Sequence, residues 1–141
     1  MSKLLVRPER FTNRVDDLGY EFLSFENRKL KAGECYSAQT GARELGIVML
    51  GGVCSVKSSA GDFGPFGGRR NVFDGMPYTL YLPIETSFTL TAETDADVAF
   101  CYSLAEQSFP ARLISPADVV VEIRGGGNAT RQINHMLRAG T

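Results

Sequence analysis

The sequence predicts an all-β protein, an antiparallel barrel or double-sheet jelly roll folded as a single domain. Three observations predict it. Strand-forming runs recur roughly every eight to twelve residues, with glycine, proline or polar clusters between them. Helical periodicity is weak throughout. The chain has 141 residues, 43% of them hydrophobic and 22% charged, enough to enclose one core and too few for two ordinary domains.

The elements follow in order. Residues Tyr20 to Leu30 are expected to be extended, ending at the Lys31-Ala-Gly33 turn. Leu45 to Leu50 is a short apolar run bounded by glycines, the pattern of a strand covered on both faces. Gly51-Gly52 then predicts a tight turn into a partner strand through Val53, Cys54 and Val56, making a hairpin. Ser58 to Arg70, rich in glycine and carrying Pro65, reads as an ordered loop. Short strands are expected at Asn71–Phe73, Tyr78–Leu82, Ser87–Ala92, Val98–Leu104 and Val119–Ile123. Ser115 and Pro116 fit the cap and first position of one helical turn. The segment Asn128 to Leu137 suits a short helix or a strand. The barrel is assigned to residues 1–124, and residues 125–141 to a glycine-rich turn and tail.

Composition excludes several function classes. The net charge is −1 with no long basic or acidic run, so neither nucleic acid nor an anionic membrane surface is expected as partner. The three cysteines, Cys35, Cys54 and Cys101, are odd in number and widely spaced, which suits reduced, mostly buried thiols rather than a disulfide framework or zinc ribbon. The start, Met1 to Arg7, has too short an apolar run for a secretory signal, and no run is long enough to span a bilayer. A cytoplasmic location is expected.

Glu44 followed by six residues and Gly51 has the spacing of the second half of the first cupin motif, G-x5-H-x-H-x3-4-E-x6-G. Cupins are small jelly-roll barrels (double-stranded β-helices), which agrees with the strand rhythm. The motif's histidines would stand at 37 and 39, or 38 and 40, where this chain has Ser37 and Gln39, or Ala38 and Thr40. The second motif can be laid on Pro83 to Phe88, with Phe88 replacing its histidine. A divalent transition metal needs converging imidazole or carboxylate ligands, and Glu44 alone does not supply them. The barrel is therefore expected to be metal-free.

A wider likeness runs from about residue 18 to residue 137. Arg43-Glu44-Leu45, Gly67-Gly-Arg69, Val72-Phe-Asp74 with Pro77-Tyr78, Tyr81-Leu-Pro83 and Thr91 to Asp95 carry its first part. Pro110-Ala-Arg112, Val121 to Arg124, Gly127-Asn128 and Arg131 continue it. In order and spacing these resemble the N-terminal half of the 5-deoxy-glucuronate isomerase family of myo-inositol catabolism. The resemblance implies a bicupin of about twice this length, an aldose–ketose isomerase whose divalent, zinc-like metal belongs to the second barrel. For this chain it implies the non-catalytic first barrel, with no cofactor and no catalytic residue of its own. Whether the chain alone is an enzyme is left open. The alternative is a stand-alone cupin that binds a small ligand or serves as a dimerisation module.

The candidate residues are few. Glu44 is a possible ligand contact, though a structural pairing is the simpler reading. Arg43, adjacent on a strand, would face the other way. Arg69 and Arg70, with Asp74 nearby, would suit the carboxylate of a sugar acid through their planar forks. His135, the only histidine, has no second imidazole or thiol nearby in sequence and reads as a packing or surface residue. Cys101 reads as a small buried hydrophobe without an activating base. A barrel lacking its sister should expose apolar surface, so a homo-oligomer, at least a dimer, is expected.

Overall fold

Alternation of side chains across extended strands dictates the architecture. Residues of one parity meet in a common core, and those of the other face outward. In the computed structural model, which describes residues 12–14 and 20–138, twelve strands form three antiparallel sheets. They are β1 (Thr12–Arg14), β2 (Leu23–Leu30), β3 (Cys35–Gln39), β4 (Arg43–Gly51), β5 (Val53–Ser58), β6 (Gly61–Gly67) and β7 (Thr79–Leu82). After these come β8 (Ser87–Ala92), β9 (Ala96–Leu104), β10 (Arg112–Ile114), β11 (Val120–Arg124) and β12 (Arg131–His135). The N-terminal reading of Met1 to Arg7 lies outside the described residues. No helix among the described residues is long and apolar enough to cross a membrane.

A six-stranded sheet, ordered β1-β2-β9-β4-β7-β10, faces a four-stranded sheet, ordered β3-β8-β5-β6. The result is a jelly roll. Its core is made by Leu45, Ile47 and Met49 from β4, Leu80 and Leu82 from β7, Val98 and Phe100 from β9, and Cys54, Val56, Phe88 and Leu90 from the opposite sheet. Phe88 stacks on Phe100 at 6.3 Å between ring centroids. Burying side chains of this size stabilises the fold by roughly 2 kcal/mol each before ordering entropy is set against it. β11 and β12 form a separate two-stranded hairpin through Gly125–Thr130, on both sides of residue 124.

The structure corrects the local reading at four places. β4 and β5 do not form a hairpin: β4 pairs with β9 and β7, and β5 with β6 and β8. Gly52 instead carries the chain from one sheet to the other at φ +83°, where a β-carbon would collide with the Asp95 carbonyl oxygen and lie 2.8 Å from the Ala96 Cα. The glycine-rich segment from Ser58 contains β6, whose register against β5 shifts between Cys54 and Val56. A bulge absorbs the residues that resemble a loop. Asn71–Phe73 is a turn and not a strand: Asp74 N–H donates to the Asn71 carbonyl at 3.0 Å, and Phe73 is 95% exposed. Finally, Cys35 and Cys101 are exposed, and only Cys54 is buried. Cys101 follows the inward-facing Phe100 on β9, so alternation turns it outward.

Elsewhere the reading agrees. β8 spans the expected residues, β7, β9 and β11 differ only at their ends, and Asn128–Leu137 contains a strand. Pro116–Asp118 forms one 3-10 turn, with Ser115 N–H and Oγ both donating to Asp118 Oδ2, at 2.9 and 2.7 Å. The polar strand β3 and the three-residue strand β10 have no counterpart in the sequence reading.

Candidate functional site

One end of the barrel interior is polar. On β2, Ser24, Glu26 and Arg28 share the inward parity with Leu30, which packs against the core. On β4, Arg43 shares the parity of Leu45, Ile47 and Met49. Tyr36 and Ala38 of β3 pack against the core from the facing sheet, and Tyr102 of β9 does so next to Phe100 along the strand.

These groups interlock. Glu26 is 4% exposed, and its Oε1 forms an ion pair with the Arg28 guanidinium. The Arg28 guanidinium carbon lies 3.7 Å from the centroid of the Tyr36 ring, a cation–π contact. The Tyr36 hydroxyl donates to Glu26 Oε2 at 3.3 Å, and its ring meets Phe100 edge-on at 5.2 Å. Burial, followed by the nearby Glu26 charge, pushes the Tyr36 phenol above its ordinary pKa and keeps it a donor. Arg43 Nη1 donates to the Ser24 hydroxyl at 2.5 Å. Above this cluster is a cavity of about 420 Å3, lined by Ser24, Glu26, Tyr36, Gln39, Arg43 and Tyr102 among others.

The residues singled out in the sequence sit elsewhere. Glu44 has the opposite parity from Leu45, on the outer face of β4, where it accepts a 3.0 Å hydrogen bond from the Tyr81 hydroxyl. Burial and that bond push the Tyr81 phenol up to about 12. Arg69 follows β6 and donates to three backbone carbonyls: Met49 at 2.9 Å, Gly75 at 3.0 Å and Val72 at 3.4 Å. Burial lowers its pKa. Arg70 pairs with Asp74 through Nε and Oδ2 at 2.9 Å, which holds the Asp74 carboxyl at about 2. Glu44 and the Arg69 contact at Met49 lie at opposite ends of β4, roughly 16 Å apart along an extended strand. These three side chains therefore do not converge. His135 Nε2 lies 2.9 Å from Glu122 Oε2 across the β11–β12 hairpin.

The metal fit can be tested on strand parity. Ser37 and Gln39, at one pair of the motif's histidine positions, are exposed, and Ser37 Oγ bonds Thr89 Oγ1 at 2.7 Å. The inward positions one residue earlier hold Tyr36 and Ala38, and the matching glutamate position then holds Arg43. A phenol beneath a guanidinium, a methyl group and a second guanidinium do not make a donor set for a divalent cation. Among the described residues no group of three His, Cys, Asp or Glu converges.

The site residues missed in the sequence are Glu26, Arg28, Tyr36 and Arg43. In β2 the hydrophobic pattern misleads, because Leu23 and Phe25 suggest an inward face that Glu26 and Arg28 occupy instead. The available signal is phase: Arg43 shares the parity of the apolar positions of its own strand.

A model of the KduI/IolB family matches residues 6–141. The chain belongs to that family. Among curated relatives, it is 33% identical to a 5-deoxy-glucuronate isomerase of Geobacillus kaustophilus, over 86% of this chain and 45% of the relative. It is 32% identical to the one from Halalkalibacterium halodurans, over 97% of this chain and 55% of the relative. The chain thus spans about half the length of these KduI/IolB relatives. An IolB-like protein from Salmonella typhimurium LT2 superposes with a TM-score of 0.82 at 35% identity, over 89% of this chain and 48% of that one. Oxalate decarboxylase of Bacillus subtilis superposes with a TM-score of 0.51 at 19% identity, which supports the cupin fold alone.

Proposed function

We propose that this chain is the metal-free first barrel of a two-barrel sugar-acid isomerase, with the catalytic zinc-like metal in the second barrel. The relatives are isomerases of 5-deoxy-glucuronate, and aldose–ketose isomerisation of that sugar acid in inositol catabolism is the reaction the whole assembly would perform in the cytoplasm. The observation that carries the reading is that the motif's histidine positions hold Ser37 and Gln39, or Ala38 and Thr40, while the inward neighbours Tyr36 and Arg43 supply no metal donor set either. The Glu26–Arg28–Tyr36 cluster then serves as a plug that rigidifies the barrel, and the outer surface supplies packing. Exposed Phe22 and Leu23, with Leu104 on β9, give apolar area that self-association would cover.

The test is elemental analysis of the purified chain after dialysis, together with turnover of 5-deoxy-glucuronate. Less than stoichiometric transition metal and no turnover are expected. A stoichiometric metal with turnover would overturn the proposal. A second reading, a ligand-binding or dimerising cupin, is favoured by the cavity above Glu26 and by the exposed apolar residues. Light scattering checks the dimer, which a clean monomer at high concentration would rule out.

A further inference from the structure

We infer that the free edge of β3 pairs with β3 of a second copy of this chain, antiparallel, about a twofold axis at Ser37. This rests on the dimerising reading above and gives it a contact; the metal-free scaffold role is independent of it.

The first argument is which backbone groups are spent. β3 is a rim of the four-stranded sheet and, among the described residues, pairs with β8 alone. Its register sets Ser37 opposite Thr89. At either end Ala92 N–H donates to the Glu34 carbonyl and Thr40 N–H to the Thr86 carbonyl, both at 2.9 Å. In an antiparallel ladder, residues that bond one neighbour alternate with residues whose N–H and C=O face away from it. Glu34, Tyr36, Ala38 and Thr40 therefore direct their backbone groups at β8. Cys35, Ser37 and Gln39 direct theirs at the open side, and all three are exposed.

The second argument is that nothing blunts this edge. Proteins guard open rims with charged side chains, proline, bulges or very short strands. β3 runs five residues, Cys-Tyr-Ser-Ala-Gln, with no charge and no proline, and its register against β8 is unbroken. The rims β1 and β10 of the other sheet offer only three residues each.

The occupant follows from the strand's own sequence. An uncharged strand meets a copy of itself without setting like charges opposite one another. Centring the pair on Ser37 overlaps the whole strand: Cys35 lies opposite the partner's Gln39, and Ser37 opposite the partner's Ser37. Every outward N–H and C=O of β3 then has a partner. Each chain has one such edge, so the contact is isologous and closes at two copies.

Amide exchange on the full chain, measured across protein concentrations alongside light scattering, tests this. The amides of Cys35, Ser37 and Gln39 are expected to slow by at least about tenfold as the dimer fills, while those of Tyr36, Ala38 and Thr40, already bonded to β8, stay unchanged. Ser37→Pro removes an N–H that β8 does not use, so the barrel keeps its ladder and the dimer is expected to weaken by about tenfold or more. The alternating pattern in the parent protein does not depend on how the variant folds. A clean monomer at high concentration would overturn both this pairing and the dimerising reading. A dimer whose Cys35, Ser37 and Gln39 amides stay fast, or one that persists in Ser37→Pro and is lost in Phe22→Ser, would overturn the pairing alone.

Discussion

Arg43 and Glu44 are adjacent in the chain and lie on opposite sides of the barrel wall. Arg43 reaches inward to the Ser24 hydroxyl, while Glu44 accepts from Tyr81 on the outside. The single peptide step between them separates the cavity from the surface. It moves the candidate chemistry from the residue whose spacing resembles a metal motif to its neighbour.

Glu44 is accordingly expected to behave as a surface partner. Glu44→Gln keeps an acceptor for Tyr81 and should change stability by less than about 1 kcal/mol. Urea unfolding measures it, and a loss of several kcal/mol would show that Glu44 is more than a surface partner.

The buried pair behaves differently. Arg28→Met strands the Glu26 carboxylate beneath Tyr36 and is expected to cost about 3 kcal/mol in urea unfolding. Adding Glu26→Gln removes the stranded charge, so the double variant is expected to be more stable than Arg28→Met alone. A double variant as unstable as the sum of the singles would show that the two groups act separately.

Arg69→Met removes the donor shared by the Met49 and Gly75 carbonyls, which tie the loop after β6 to β4. A loss of about 2 kcal/mol is expected, with faster amide exchange in residues 70–76. Unchanged exchange there would show that the loop is held by other contacts.

The β11–β12 hairpin is expected to loosen in acid. Glu122 is held at about 2, first by Arg124 and then by His135. A carboxylate whose folded pKa is depressed contributes above its unfolded value near 4.5, and that contribution is lost as pH falls towards 2. Amide exchange at Ile123 and Ile133, corrected for intrinsic rates, should therefore accelerate as pH falls below about 4.5. Glu122→Gln abolishes this dependence. Identical pH profiles for the two proteins would refute the linkage.

Thiol labelling separates the cysteines. Cys35 and Cys101 are exposed, whereas burial, aided by the Glu93 charge, pushes the Cys54 thiol up to about 12. Two thiols per chain are expected to react in the native state, Cys101 more slowly because burial of its sulfur raises its pKa. Cys54 should react only on unfolding.

What was legible in the sequence followed from patterns that need no tertiary information. Ser87–Ala92 alternates polar and apolar residues, and its boundaries emerge directly. Leu45–Leu50 is apolar at nearly every position because both faces of the strand are largely buried, and this marks a strand without showing which face is the interior. β6 was hidden because Gly61, Gly64, Pro65 and Gly67 mimic a loop, while its pairing with β5 is fixed by residues that precede it. β2 was legible as a strand, but its face was not: a buried Glu–Arg pair reverses the usual sorting of polar and apolar parity. The crossing at Gly51-Gly52 resembled a hairpin because a positive-φ glycine serves both geometries.

The bulged β6 has one further consequence. It forms an outer rim of the four-stranded sheet, and Pro65 offers no N–H there. The kink brings Gly64 so close to Ser55 that a β-carbon would lie 2.7 Å from the Ser55 Cα. Such a rim is a poor template for another strand, so copies of this protein are steered away from growing ribbons along that side. Contact between copies is thereby turned towards the sheet faces and the other rims, β3, β1 and β10.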